Sequence, residues 1–248
     1  MTVTISINVP RSWNELTNRQ LYYLYRLFTE NLETTQCKVL CLLKWGNIKV
    51  QHRYASGYVV KHNNDTFVLS PEDLASAASA LDWIDEFPSS PVRISTIKGH
   101  KAVSADFQGV ELEKYLYCEN LYQGYIRTTN HALLADMGRQ LYSAPNLRFN
   151  QIEKINIFYW WAALKSLLAP SFPNFFQPLG ISSSSDLMSV DIGRQLMNAI
   201  HTQIRSLTKS DITKEKDVLK MDVWRAFAEL DAQAKEYEEF KRKYPNNG

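Results

Sequence analysis

Glycine and proline are scarce in this chain of 248 residues, at nine apiece, and cysteine scarcer still, at three. None of the glycines stands in a G-x-G-x-x-G or G-x-x-x-x-G-K spacing, so the sequence offers no phosphate cradle of the dinucleotide or P-loop kind. The G-x-S-x-G nucleophile elbow and the H-E-x-x-H zinc helix are also missing, and the five histidines at 52, 62, 100, 131 and 201 lack metal-ligand spacing. Three cysteines cannot all pair. Cys37 and Cys41 fall on one helix face beside Leu40 and Leu43, and no second knuckle of ligands accompanies them, so buried, reduced thiols are expected and no metal. An excess of one charge is lacking too: 28 basic side chains face 26 acidic ones, interspersed. The nearest approach to a basic stripe, Lys98, His100 and Lys101, is too small to anchor a duplex, which argues against a nucleic-acid partner. The most apolar run, Ile155 to Ala169, is broken by Asn156, Lys165 and Ser166 and is shorter than the ~20 residues a membrane span needs. No secretory signal is expected either, because Val3, Ile5, Ile7 and Val9 alternate with polar residues as in a strand.

What the sequence has in quantity is rings. Thirteen Tyr, eleven Phe and six Trp make 12% of the chain, which suits a generous core or a partner-binding face. The order of patterns predicts an α+β protein, mainly α. It has a small β-containing N-terminal part (1–70), a helical body (71–208) and a C-terminal amphipathic helix or arm (209–248). After the first strand, Ser12-Trp13-Asn14-Glu15 and Thr17-Asn18-Arg19-Gln20 both fit the capping box. The second opens a helix with Leu21, Leu24, Phe28 and Leu32 inward, and another helix over 35–45 should end at Gly46-Asn47, glycine taking the left-handed cap. Residues 48–69 read as a hairpin turning at Asn63-Asn64-Asp65, and Ser70-Pro71 starts a helix reaching about Phe87. The stretch 92–108 is ambiguous. Beyond it, helices are expected over roughly 110–127, 130–143, 150–169, 186–208 and 216–243. Between them lie a hinge or surface loop at 170–185 and a second break at 208–213.

Three elements could carry function. On the helix near 109–127, Leu112, Tyr115, Leu116, Glu119, Tyr122, Gln123 and Ile126 share a face, so Glu119 and Gln123 interrupt an apolar stripe. A buried carboxylate there either accepts structural hydrogen bonds, the reading preferred here, or serves acid–base chemistry with Tyr115, Tyr122 and His131 around it. Phe172, Phe175 and Phe176 in a proline-bounded loop either cover the central helix or stand out as a docking patch. On the last helix, Trp224, Phe227, Leu230, Ala234, Tyr237 and Phe240 form an apolar stripe that could pack on the body or enter a partner's groove.

Segments 9–17 (Val-Pro-Arg-Ser-Trp-Asn-Glu-Leu-Thr), 118–125 (Cys-Glu-Asn-Leu-Tyr-Gln-Gly-Tyr), and 207–215 (Leu-Thr-Lys-Ser-Asp-Ile-Thr-Lys-Glu) leading into 224–230 (Trp-Arg-Ala-Phe-Ala-Glu-Leu) resemble proteins encoded in phage-like or mobile gene clusters of gut anaerobes. The resemblance includes no chemical motif and supplies no catalytic residue. It implies a virion-assembly or tail-associated role, such as a chaperone for a longer tail protein. The expectation is therefore a non-enzymatic binding or assembly protein with a protein partner and no cofactor. It would be cytoplasmic or assembled into a phage-like particle, and its partner faces would be Trp224, Phe227, Leu230 and Tyr237 together with Phe172, Phe175 and Phe176. The rival expectations are an enzyme with a site assembled near Glu119 and a DNA-associated protein of a mobile element.

Overall fold

A computed structural model describes residues 7–176, 202, 204–205, 207–208 and 211–244. The expected first strand lies in part outside the described residues, and its described end, 7–10, pairs with no strand. Ile7 and Val9 instead lean on the core, and the Trp83 indole donates to the Pro10 carbonyl at 3.2 Å. The chain then makes a single 3₁₀ turn, Trp13–Glu15. The capping box proposed here does not form. The Ser12 hydroxyl caps nothing, and the Glu15 carboxylate accepts from the Arg11 backbone N–H at 2.8 Å, because a three-residue turn leaves no helix to cap. Thr17, by contrast, makes the complete box with Gln20 and opens α1 (Asn18–Thr29). Leu21, Leu24, Tyr25 and Leu27 are its buried face. Leu32 lies past its end and is half-buried.

Helix α2 (Thr34–Trp45) buries Cys37, Cys41 and Leu42, rather than Leu40 or Leu43, beside the thiols. At its end it is Asn47, at φ 53°, that takes the left-handed turn, whereas Gly46 keeps an ordinary φ of −76°. Glycine is required at 46 for room. A Cβ there would sit 2.5 Å from the Ile7 side chain and 2.7 Å from the Leu42 carbonyl oxygen. The hairpin region is a three-stranded antiparallel meander, β1 (Ile48–Tyr54), β2 (Gly57–His62) and β3 (Asp65–Leu69), with a bulge between Val50 and His52. One strand more than expected forms because the chain also reverses at 55–56, where Gly57 passes so near the Leu69 carbonyl that a Cβ would lie 2.6 Å from it. Ser70 and Asp73 then box the start of α3 (Pro71–Ala78), which tightens into a 3₁₀ segment over Ser79–Asp85.

The ambiguous stretch resolves into a two-residue ladder, β4 (Thr96–Ile97) with β5 (His100–Lys101), followed by a loop. The body comprises α4 (Leu112–Thr128), α5 (His131–Leu141) and α6 (Gln151–Ser171). After them come a short α7 (Glu215–Leu219) and a 21-residue α8 (Val223–Lys243). Pro170 does not begin the expected loop, because α6 runs through it to Ser171; so near the helix end, the missing N–H removes one rung of the last turn only. The remainder of the proposed hinge after Phe176, and most of the helix expected over 186–208, lie outside the described residues. The final helix begins later than expected, at Val223, since 215–219 is a separate helix that ends at Lys220.

Helix α6 occupies the centre, with Trp160, Trp161, Ala163 and Leu164 fully buried. One hydrophobic core runs from Trp13 to Leu230 and draws on the N-terminal part, the body and α8 alike. The molecule is thus α+β and mainly α, with a small sheet near the N-terminus and a helical body behind it. Among the described residues, no helix is long and apolar enough to cross a membrane.

Candidate functional site

The loop over 104–110 is the hub on which α4, α6 and α8 meet. Phe107 sits there with a φ of 66°, a left-handed conformation costly for a bulky side chain, and is wholly buried. What holds it is a set of hydrogen bonds: the Asp106 carboxylate accepts from Ser104 Oγ and the Gln108 N–H, and Asp222 accepts from the Gly109 N–H at 2.7 Å. The ring earns its place by edge contacts to Tyr115, Trp160 and Trp161. The loop's carbonyls in turn anchor the large indoles, Ala105 accepting from Trp160 at 2.8 Å and Asp106 from Trp224 at 2.7 Å.

Glu119 lies under this hub on α4, 4% exposed. Its carboxylate accepts from Trp161 Nε1 at 2.8 Å, from Lys165 Nζ at 2.5 Å and from Gln123 Nε2 at 2.8 Å. The donors are an indole, an ammonium and an amide. Lys165 also lies 5.5 Å from the centre of the Tyr122 ring, so its charge is shared between a carboxylate and an aromatic face. Of the residues grouped with Glu119, Tyr115 stacks on Trp161 at 5.2 Å and Tyr122 on Phe158 at 5.8 Å. His131 is exposed and packs on Tyr125, and Ile126 is 40% exposed and off the stripe, its place taken by the buried Cys118. Burial, with help from the Glu119 charge, pushes the Tyr122 hydroxyl up to about 12 and the Cys118 thiol up to about 12. Burial pushes Cys41 up to about 12 as well, so at neutral pH these groups keep their protons. All three cysteines are free and buried, and among the described residues no group of His, Cys, Asp or Glu comes together to hold a metal ion.

Lys165 was missed in the sequence, although the signal was there. Lys165 is the one cation within the apolar run 155–169, and Glu119 is the one carboxylate on the apolar face of α4.

The aromatic stripe of α8 divides in two. Val223, Ala226, Phe227 and Leu230 are buried, Phe227 to 1% exposure, and Trp224 is half-buried against Phe172. Phe227 meets Tyr115, Phe172, Phe175 and Phe176, all at 5.0–5.6 Å between ring centres. Thus Phe172 is buried, Phe175 and Phe176 are half-buried, and the loop they belong to closes over α8 instead of standing out. The latch is Asp231, also missed in the sequence. It accepts from the backbone N–H groups of Asn174 and Phe175 at 2.7 and 2.9 Å and from the Asn174 amide at 2.9 Å. Burial raises the Asp231 carboxyl, but these hydrogen bonds outweigh it and hold the group below the usual carboxylate range. Trp224, Phe227, Leu230, Phe172, Phe175 and Phe176 are accordingly core contacts of the chain itself. Phe172, Phe227 and Leu230 spend their apolar surface in that core, whereas Trp224, Phe175 and Phe176 keep part of theirs open.

Beyond Asp231 the same helix is more exposed. Tyr237 is 59% exposed, Phe240 53% and Tyr244 54%, with Phe240 and Tyr244 in tilted contact at 5.0 Å and Lys241 over the Tyr237 ring at 4.6 Å. Compared with known protein families, with curated proteins and with solved structures, the chain matches none.

Proposed function

We propose that this chain is a non-enzymatic binding or assembly protein that offers the outward half of α8 to an apolar groove on a protein partner. The observation that carries this reading is the division of α8. Its first two turns are core, while the rings of Tyr237 and Phe240, at i and i+3, remain more than half exposed on a helix fixed at its base, with the exposed Tyr244 at its C-cap beside Phe240. That is the spacing with which a helix fills a groove, and rings are the side chains that concentrate interface energy. The engagement of Glu119 by three donors supports a structural carboxylate in place of a general base. The likeness of residues 9–17, 118–125, 207–215 and 224–230 to proteins of phage-like gene clusters supports an assembly setting, with a longer tail protein as the partner.

Affinity capture of the full chain, co-expressed with the products of its neighbouring genes, tests this. The wild type is expected to retain one defined partner. Tyr237→Ser/Phe240→Ser should weaken that capture by roughly tenfold or more, since anchor rings are each worth about 2 kcal/mol. Because exposed substitutions usually shift stability by no more than about 0.5 kcal/mol, the melting temperature should move by only about 2 °C. Unchanged capture would overturn the proposal, as would a wild-type dimer that the substitutions dissolve, which would make a second copy the occupant.

A further inference from the structure

Helix α1 and the end of α2 enclose an open groove of about 820 Å³, within the roughly 300–1,000 Å³ of ligand-binding clefts. Arg19, Tyr22, Tyr23 and Arg26 line one wall, at i, i+3, i+4 and i+7 along α1, and Lys44 and Trp45 line the other. The three cations are exposed, and none of the described residues lining the groove is a carboxylate. Arg26 reaches Glu30 outside it at 3.4 Å, a pair so exposed that it neutralises little. Arg26 and Lys44 both lie near the Tyr23 ring, at 5.6 and 6.0 Å from its centre. Two cations converging on one ring in a groove without acid repel each other and leave a positive potential over flat aromatic surface.

We propose that this groove binds a short stretch of single-stranded nucleic acid, with Arg19, Arg26 and Lys44 on phosphates and a base stacked on the Tyr side chains. Cations that track a backbone, interleaved with rings that accept any base, are the chemistry by which single strands are held. A duplex is not expected to fit, because its bases are stacked inside and three cations neutralise too little of its charge. The sequence hides this arrangement, since residues 19, 26 and 44 form no run and only the packing of α1 on α2 gathers them.

Fluorescence anisotropy of the full chain with a dye-labelled oligouridylate of about twelve nucleotides tests the proposal. Three phosphate contacts on a single strand predict that raising salt from about 50 to about 200 mM weakens binding roughly twentyfold. Arg26→Ala/Lys44→Ala should weaken it by about tenfold, while Lys61→Ala, an exposed cation on β2, should leave it unchanged; thermal melts confirm that each variant is folded. No binding would overturn the proposal. So would an equal loss in Lys61→Ala, binding insensitive to salt, equally tight binding of a duplex, or uridine monophosphate binding as tightly as the strand.

Discussion

Trp224→Ala/Phe227→Ala is expected to lower the melting temperature of the isolated protein by about 10–20 °C. Phe227 is fully buried among Tyr115, Phe172, Phe175 and Phe176, and truncating such a ring removes its transfer energy and leaves a cavity, about 3–5 kcal/mol. Trp224 is only half-buried, but its loss strands the Asp106 carbonyl and uncovers Phe172. Both rings touch Phe172, so the two losses overlap, and a total near 5 kcal/mol is expected in place of their sum. At about 2–4 °C per kcal/mol for a chain of this size, that gives the stated drop. The result belongs to thermal denaturation without any partner. A change of a degree or two would mean that the base of α8 is not core, and the helix would then be a free arm along its whole length.

Glu119→Leu should be nearly as severe. It leaves the Trp161 N–H and the Gln123 amide without their acceptor and the Lys165 ammonium without its counter-charge. Removing one member of a buried pair costs about 3–5 kcal/mol, and the lower end applies because Lys165 is 34% exposed and can turn toward water. Glu119→Gln keeps an oxygen for the indole and should cost about 1–2 kcal/mol. The double change Glu119→Leu/Lys165→Met removes both charges and should recover much of the loss, since an apolar pair of similar volume replaces a buried ion pair at little expense. Chemical denaturation of the three variants checks this order. Were Glu119→Gln as damaging as Glu119→Leu, the negative charge itself, and not its hydrogen bonds, would be what the core requires.

Features written in adjacent residues were legible from the sequence. Thr17 and Gln20 announce α1 because both halves of a capping box lie within one turn, and Ser70, Pro71 and Asp73 announce α3 in the same way. The same pattern at Ser12 and Glu15 fails, since a box states where a helix can begin and says nothing of whether enough chain follows to continue it. The left-handed residue after α2 was misplaced from Asn47 to Gly46 because glycine meets two different demands. At position 46 the demand is space beside Ile7, which only the folded chain reveals. Glu119 was visible as an anomaly on α4, but two of its three partners, Trp161 and Lys165, stand more than forty residues away on α6. The stripe on α8 reads as uniform in sequence because periodicity gives a face without saying how much of it is covered. Asp231, which latches the Phe172–Phe176 loop over the helix, marks where coverage stops.

That division of α8 is the claim on which the proposed function rests, and amide hydrogen exchange of the full chain alone measures it directly. Amides over 223–230 are expected to exchange as slowly as those of the central α6 segment 156–164, while those over 235–244 exchange at least about a hundredfold faster, because no described residue over 235–244 is buried. A single rate along the whole helix would contradict the account. Uniformly slow exchange would bury Tyr237 and Phe240 against the body and leave no docking face, and uniformly fast exchange would release Phe227 from the core.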